Sequence, residues 1–334
     1  MTNSAPRRTL PRWLTLALQV GVSLALLAAL VAIVDWSQLR EAASALSFGA
    51  MLLVVLCCLG AQASLVLRWR ALLDMLGVRE SWMRSWHSVF AGLFLSNFLP
   101  GTLGSDGLRV VLLTKACGRA STAIGAVAYE RLMQLALYVL LASIAALMPM
   151  PWLQPWLRML IVAAGAVGIA FLVLVLYWLG QRSADSGLAR GGLLQTAWRL
   201  FATILIETGR MQTRMRRHRR AALGFWAASI VNVALILAIW RLILSDIGDD
   251  VGLPTIVLAC AAAAIASSIP ISLGGIGIFE ATIVALLGLA GVPAAHGFLL
   301  ALIVRAVFMA SSFIGLPSAS LLWRERSPQA RPSS

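Results

Sequence analysis

The chain reads as an all-α polytopic membrane protein of about six transmembrane helices plus two re-entrant helical hairpins, arranged as an inverted-topology repeat. Three observations predict this. Apolar residues fill 60% of the 334 positions and charged ones only 12%, and several apolar stretches exceed the roughly 18 residues that mark a spanning helix. Arginines collect between those stretches, as the positive-inside rule expects of cytoplasmic loops. Two apolar runs are broken by Pro-x-x-x-Gly, at Pro100 to Gly104 and at Pro270 to Gly274. Irregular backbone at membrane depth is tolerated only where it is buried in protein or lines a wet cavity.

Taken in order, a tail over 1–12 carries Arg7, Arg8 and Arg12 and sets the N-terminus in the cytoplasm. The first span, 13–34, is too long for a signal-peptide core and is read as retained. The second, 46–67, returns inside beside Arg68, Arg70, Arg79 and Arg84. Segment 86–116 has Arg84 before it and Lys115 and Arg119 after it, so both of its ends are cytoplasmic and it forms a re-entrant hairpin. Spans follow at 121–148 and 156–180. The basic cytoplasmic loop 181–220 holds nine arginines against Asp185 and Glu207. Within it Leu194, Trp198, Phe201 and Leu205 recur at helical spacing, which suits an interfacial amphipathic helix as well as a loop that only sets orientation. Span 221–244 leads to an outer loop with Asp246, Asp249 and Asp250. Segment 254–290 is re-entrant from that outer face, and span 297–323 returns to a cytoplasmic tail, 324–334, beside Arg324 and Arg326. The chain is thus expected to be a multi-pass protein of the cell inner membrane with both termini cytoplasmic.

The domain 13–323 divides into halves at 13–148 and 156–323. Trp69-Arg70 closes the second span and Trp240-Arg241 lies near the end of the fifth. Pro100 follows Trp69 by 31 residues, and Pro270 follows Trp240 by 30. One half starts inside and the other outside, which relates them by an axis in the membrane plane. Secondary transporters built this way hold substrate near the midplane, at the repeat interface.

The two breaks place helix N-termini deep in the membrane, where free N–H groups and the helix dipole favour an anion such as phosphate. Ser105 or Asp106 is the expected N-cap after the first break. Gly274, Gly275 and Gly277 let the chain turn at the second. Arg109 adds a forked donor. Glu130, Arg131 and Arg305 lie inside spans, where ionisable groups are costly and pair with each other or face a polar interior. Asp106, Glu130 and Glu280 therefore face Arg109, Arg131 and Arg305 in charge count. They form either a substrate site or a closed set of ion pairs that locks helices together. With Asn97, Pro100, Gly104 and Pro270 these residues make up the candidate binding site.

Other chemistries find little support. The glycine-rich segment Gly101 to Gly107 lacks the lysine and hydroxyl ending of a P-loop. Cys57, Cys58, Cys117 and Cys260 have no metal spacing, and His87, His218 and His296 are scattered. No cofactor, metal or catalytic residue is expected. The net charge of +14 is spread through loops rather than over a basic surface, which argues against nucleic acid.

Asn97-Phe98-Leu99-Pro100 through Gly104-Ser105-Asp106 and Arg109, then Glu130-Arg131, then Ile269-Pro270 through Gly274-Gly275-Ile276-Gly277 and Glu280, resemble the signature blocks of one family. It is the lysylphosphatidylglycerol synthase transmembrane region, or flippase-like domain, family, and the resemblance covers about residues 10 to 323. It implies a membrane domain that moves a lipid to the outer leaflet. In bifunctional relatives a soluble aminoacyl-transferase makes that lipid, and here the chain is expected to lack that part. Ser105 stands where many relatives are expected to have a second glycine. The reading is then a non-enzymatic translocase for a phosphate-bearing lipid: a phospholipid, an aminoacylated phospholipid or a polyprenyl lipid. Its partners would be membrane lipids with an anionic headgroup, and a homo-oligomer or a biosynthetic-enzyme partner is open. The rival readings are a non-transporting partner of a lipid- or envelope-biosynthesis enzyme, and a small-solute secondary transporter.

Overall fold

A computed structural model describes residues 12–97, 103–181, 193–269 and 272–317. Pro100, Pro270, residues 1–11 and the tail over 324–334 lie outside the described residues, as do the side chains of Leu194, Trp198 and Arg199. Every regular element described is helical: α1 (Arg12–Ile33), α2 (Trp36–Ala45), α3 (Phe48–Leu76), α4 (Trp82–Ser96), α5 (Leu103–Cys117), α6 (Ala120–Leu147), α7 (Pro155–Gly180), α8 (Leu193–Arg217), α9 (Arg219–Asp246), α10 (Leu253–Ser267), α11 (Ile278–Leu289) and α12 (Ala294–Ser312), with a 3₁₀ turn at Leu273–Gly275. Five of these, α3, α6, α7, α9 and α12, are long and apolar enough to cross a membrane. A sixth span forms if α1 and α2, bent by 87° at their junction, count as one.

The centre of the fold is the pair α3 and α9, which run antiparallel along their whole length. Ser47 at one end meets Asp246, with its backbone N–H donating to Oδ2 at 2.6 Å. Asn232 Nδ2 donates to the Ala61 carbonyl at 2.8 Å in the middle, and Gly224 faces Ala71 at the other end. Trp69 and Trp240 are both fully buried in the apolar clusters on either side of this pair. On one flank α4 and α5 fold back on each other, and α5 then packs antiparallel on α6. On the other flank α10, α11 and α12 follow the same order. At about 1.5 Å per residue, the 15-residue α4, α5 and α10 reach about 22 Å, short of a hydrocarbon core of about 30 Å.

Three features differ from the sequence reading. The second span does not end at 67: α3 runs on to Leu76, where Gly77 at φ 72° closes it in a left-handed C-cap. The helix α2, capped by Asp35 accepting from the Ser37 and Gln38 N–H groups, was not expected at all. The basic segment 181–220 does contain the helix that its apolar spacing suggested, over Leu193–Arg217, but that helix packs into the bundle instead of lying at an interface. Helix α8 packs between α6 and α7, with Met211 and Glu207 buried and Arg210 Nη1 paired to Glu207 at 2.5 Å.

Glycines make the close helix contacts possible. A Cβ on Gly209 would lie 2.5 Å from the Gly180 backbone nitrogen, so α7 and α8 touch backbone to backbone there. We expect Gly209→Ala to lower stability by about 1–3 kcal/mol through overpacking. Gly288→Ala, whose new Cβ meets nothing within 4 Å, should be neutral or stabilise α11 by up to about 1 kcal/mol. Thermal unfolding of the two variants in one detergent checks this. Equal melting temperatures would remove the close α7–α8 contact.

Candidate functional site

The polar residues gather into two clusters, each formed where a short helix meets a long one. In the first, Glu130 of α6 is 1% exposed and accepts from two arginines of two other helices. Arg68 of α3 donates to Oε1 through Nε at 2.9 Å and Nη2 at 2.8 Å. Arg109 of α5 donates to Oε2 through Nη1 at 2.8 Å. The other arm of Arg109 reaches Asp106 Oδ1 at 2.7 Å, one helical turn away. Arg131 holds Asp106 as a fork, with Nε on Oδ2 at 2.9 Å and Nη2 on Oδ1 at 2.8 Å. Arg68 and Arg109 are also buried, whereas the Arg131 side chain is 34% exposed.

Among the described residues, three guanidinium groups here face two carboxylates, so the cluster carries a formal excess of one positive charge. Removing charges from water costs several kcal/mol each, offset only by good geometry and full hydrogen bonding. The shared carboxylates provide both.

The second cluster is simpler. Gly274, Gly275 and Gly277 have φ of 60°, 75° and 85°, a left-handed path that L side chains rarely adopt. This turn delivers the Gly277 N–H to Glu280 Oε2 at 2.7 Å, so the acid caps its own helix, α11. Glu280 is buried and its Oε1 accepts from Arg305 Nε of α12. The Arg305 side chain is 32% exposed. Its guanidinium lies 5.5 Å from the Phe279 ring centroid, and Phe279 packs edge-on against Trp240.

The two clusters share a spacing. Asp106 precedes Arg131 by 25 residues, and Glu280 precedes Arg305 by 25. Each acid stands in the first turn of a short helix. Arg131 lies 11 residues past the start of α6 and Arg305 11 past the start of α12. In both, a buried tryptophan lies beneath: Trp69 under Arg109, 5.3 Å from ring centroid to guanidinium carbon, and Trp240 behind Phe279. Both indole N–H groups are buried and make no hydrogen bond among the described residues.

Of the sequence candidates, Asp106, Arg109, Glu130 and Arg131 come together in the first cluster, and Gly275, Gly277, Glu280 and Arg305 in the second. Asn97 joins neither; it ends α4 and its Nδ2 donates to Ser312 Oγ of α12 at 2.6 Å. Ser105 and Asp106 are not N-caps, because α5 already begins at Leu103 and leaves them inside its first turn. Gly104 is not a turn residue like Gly274. It is helical, and a Cβ there would lie 2.4 Å from the Ser96 nitrogen, so its role is close contact between α4 and α5. The charge pairs also differ from the simplest matching. Glu130 is held by Arg68 and Arg109, not by its neighbour Arg131, which points one way round α6 while Glu130 points another.

Arg68 is the residue the sequence reading missed. It was assigned to the cytoplasmic flank of a span ending at 67, yet it is 4% exposed inside the bundle. The one signal for it was the apolar pattern that continues past Trp69 to Leu76 and marks the helix as longer.

Glu130→Ala leaves two guanidinium groups facing each other without their shared partner, and we expect it to cost about 3–5 kcal/mol. Arg131→Gln removes a partly exposed donor while Arg109 still holds Asp106, and we expect about 1 kcal/mol or less. Unfolding in detergent, followed by intrinsic tryptophan fluorescence, orders the two variants. The reverse order would mean that the cluster is not centred on Glu130.

No curated protein matches the chain. The family described as the lysylphosphatidylglycerol synthase TM region matches residues 16–315, a range that holds both clusters and all twelve helices but the first residues of α1. The chain is therefore a membrane-embedded member of the lysylphosphatidylglycerol synthase transmembrane-region family.

Proposed function

We propose that this protein moves a phosphate-bearing lipid across the cytoplasmic membrane, without chemistry, by passing its headgroup between two re-entrant hairpins of an inverted repeat. The observation that carries the reading is the matched pair of arginines, Arg131 and Arg305, each about one-third exposed over a buried carboxylate. Arg131 forks Asp106 through Nε and Nη2 and reaches Gln134 Oε1 only at 3.5 Å through Nη1, so a phosphate would approach the exposed part of a guanidinium already held in place by its acid. The orphaned indole donors of Trp69 and Trp240 lie close to the same two places.

The antiparallel α3–α9 pair, the short helices on both flanks and the shared 25-residue spacing support the inverted repeat. The short length of α4, α5, α10 and α11 supports re-entrance, since none of them reaches across a hydrocarbon core. The arginines at the junction of α8 and α9 support a cytoplasmic placement for that end. Family membership supports a lipid-related role, because relatives are named for lysylphosphatidylglycerol synthesis.

Purified protein in liposomes, with fluorescent phosphatidylglycerol in the inner leaflet and a membrane-impermeant quencher outside, measures the movement. We expect transport that falls about tenfold or more in Arg131→Gln and in Arg305→Gln, as loss of a charge-assisted hydrogen bond in transit implies. Both variants should remain folded by their melting curves. Wild-type protein that moves no lipid, or variants that move it at full rate, sinks the proposal.

Orientation has its own test. With the four native cysteines replaced, Lys115→Cys and Arg220→Cys should react with an impermeant thiol reagent only from the cytoplasmic side. Asp250→Cys, whose native side chain is 95% exposed, should react only from outside. Labelling of position 115 from outside would end the re-entrant reading of α4 and α5.

A further inference from the structure

The two halves of the proposed repeat keep register, so their clusters can be compared position by position. Helices α3 and α4 begin 171 residues before α9 and α10, and α6 begins 174 before α12. Trp69 and Trp240 are 171 apart, while Asp106 and Glu280, like Arg131 and Arg305, are 174 apart. The same steps take Arg68 to Ile239, Arg109 to Ile283 and Glu130 to Val304. The acid and the arginine thus occur in both halves, but the buried ionic triad of Arg68, Glu130 and Arg109 has an aliphatic counterpart.

Ile239, Ile283 and Val304 are as buried as the triad, and all three belong to the apolar cluster around Trp240. One half fills these positions with hydrocarbon, the other with two guanidinium groups about one carboxylate. A buried ionic triad exchanged as a whole for packed apolar residues typically leaves a fold as stable or more so, whereas removing one member strands a charge. Stability therefore does not account for the triad, and the second half shows the apolar solution in place. What the triad adds is charge. Without it each half would hold one acid and one arginine and be neutral; with it the first cluster counts three arginines against two carboxylates among the described residues. Arg109 passes that charge on by taking Asp106 Oδ1, the oxygen that Arg131 Nη2 also holds. Asp106 is thereby shared between two cations, while Glu280 has one arginine, Arg305, among the described residues.

We infer that the Arg68–Glu130–Arg109 triad sets the charge of the first cluster and so makes it the half that selects a group of one negative charge, such as a phosphodiester. The neutral Glu280–Arg305 pair lacks that preference. The inference rests on the translocase reading for its purpose, and it adds which of the two matched arginines holds the anion. The three residues act through Asp106 and Arg131, so they are positioning residues. Within the translocase reading, a headgroup is held at one half and let go at the other.

The test titrates full-length protein in neutral detergent with dihexanoyl phosphatidylglycerol, dihexanoyl phosphatidylcholine and inorganic phosphate, by calorimetry. The triple variant Arg68→Ile/Arg109→Ile/Glu130→Val carries the second half's residues into the first. A second triple variant, Arg68→Met/Arg109→Met/Glu130→Leu, stays nearer the native volumes. We expect at least one of them to melt at or above the wild-type temperature. It should bind phosphatidylglycerol about tenfold more weakly, as for one lost charge-assisted contact, with phosphatidylcholine binding unchanged. Adding Asp106→Asn to that variant returns the cluster to one positive charge and should restore the affinity, which repaired packing would not do. If both triple variants fail to fold, the triad is structural and the inference is overturned. Unchanged phosphatidylglycerol affinity, or no rescue by Asp106→Asn, overturns it equally. Inorganic phosphate bound as tightly as phosphatidylglycerol would uphold the charge-setting role and reject a lipid as its ligand. Affinity lost as expected, in a protein that moves no lipid in liposomes, upholds the triad's role and rejects translocation. A triple variant with unchanged affinity and wild-type transport rejects the inference and leaves translocation standing.

Discussion

The polar architecture depends on one carboxylate. Glu130 sits in the middle of α6 and binds arginines from α3 and α5, so a single buried side chain joins three helices. In an apolar medium helices gain little from packing Leu against Leu, because lipid tails offer the same contact. A charge that must be neutralised at depth is different. It has few acceptable partners, and each of them fixes the register of a helix. Arg109 then passes the constraint on to Asp106, and Asp106 to Arg131, until the chain of contacts reaches the cluster's exposed edge.

The second cluster meets the same constraint with fewer parts. There a glycine turn replaces the helical start of α5, and the backbone N–H of Gly277 takes the place of a second arginine on the buried acid. The glycine that ends each Pro-x-x-x-Gly therefore takes a different conformation in the two places. Gly274 is needed for its positive φ, and Gly104 for the approach of Ser96. What the two sites hold in common is the acid at the start of a short helix and the arginine 25 residues later.

Much of this was legible in the sequence because the bilayer permits so few solutions. Long apolar runs had to be helices, and the ends of α6 and α7 fall within a residue of the boundaries expected for them. Charges inside those runs had to be paired, which drew attention to Glu130, Arg131 and Arg305. The partners were harder to read. An arginine at the end of an apolar run obeys the same charge rule whether it snorkels to the surface or lies buried, and only a carboxylate 62 residues away decides it for Arg68. The burial of helix α8 was obscured for a related reason. Its basic character signals a cytoplasmic segment, while its burial depends on Gly125 of α6, Gly180 of α7 and its own Gly209, whose small size spread over three helices leaves no local pattern.

The structural lock and the proposed binding site draw on different groups of the same networks, and exposure separates those groups. The acids Glu130 and Glu280 are almost wholly buried and satisfied, and so are Arg68 and Arg109. Those contacts lock helices. Arg131 and Arg305 take part in the same networks but keep about a third of their surface outside them. A set of ion pairs serving stability alone has no need of a third arginine in the first cluster, since two carboxylates are already balanced by two. The extra cation adds self-repulsion and a desolvation cost, and an anion brought to Arg131 would relieve both. The buried contacts thus fix the position of the Arg131 guanidinium, and under the proposed function its uncovered third is the part that would meet a headgroup.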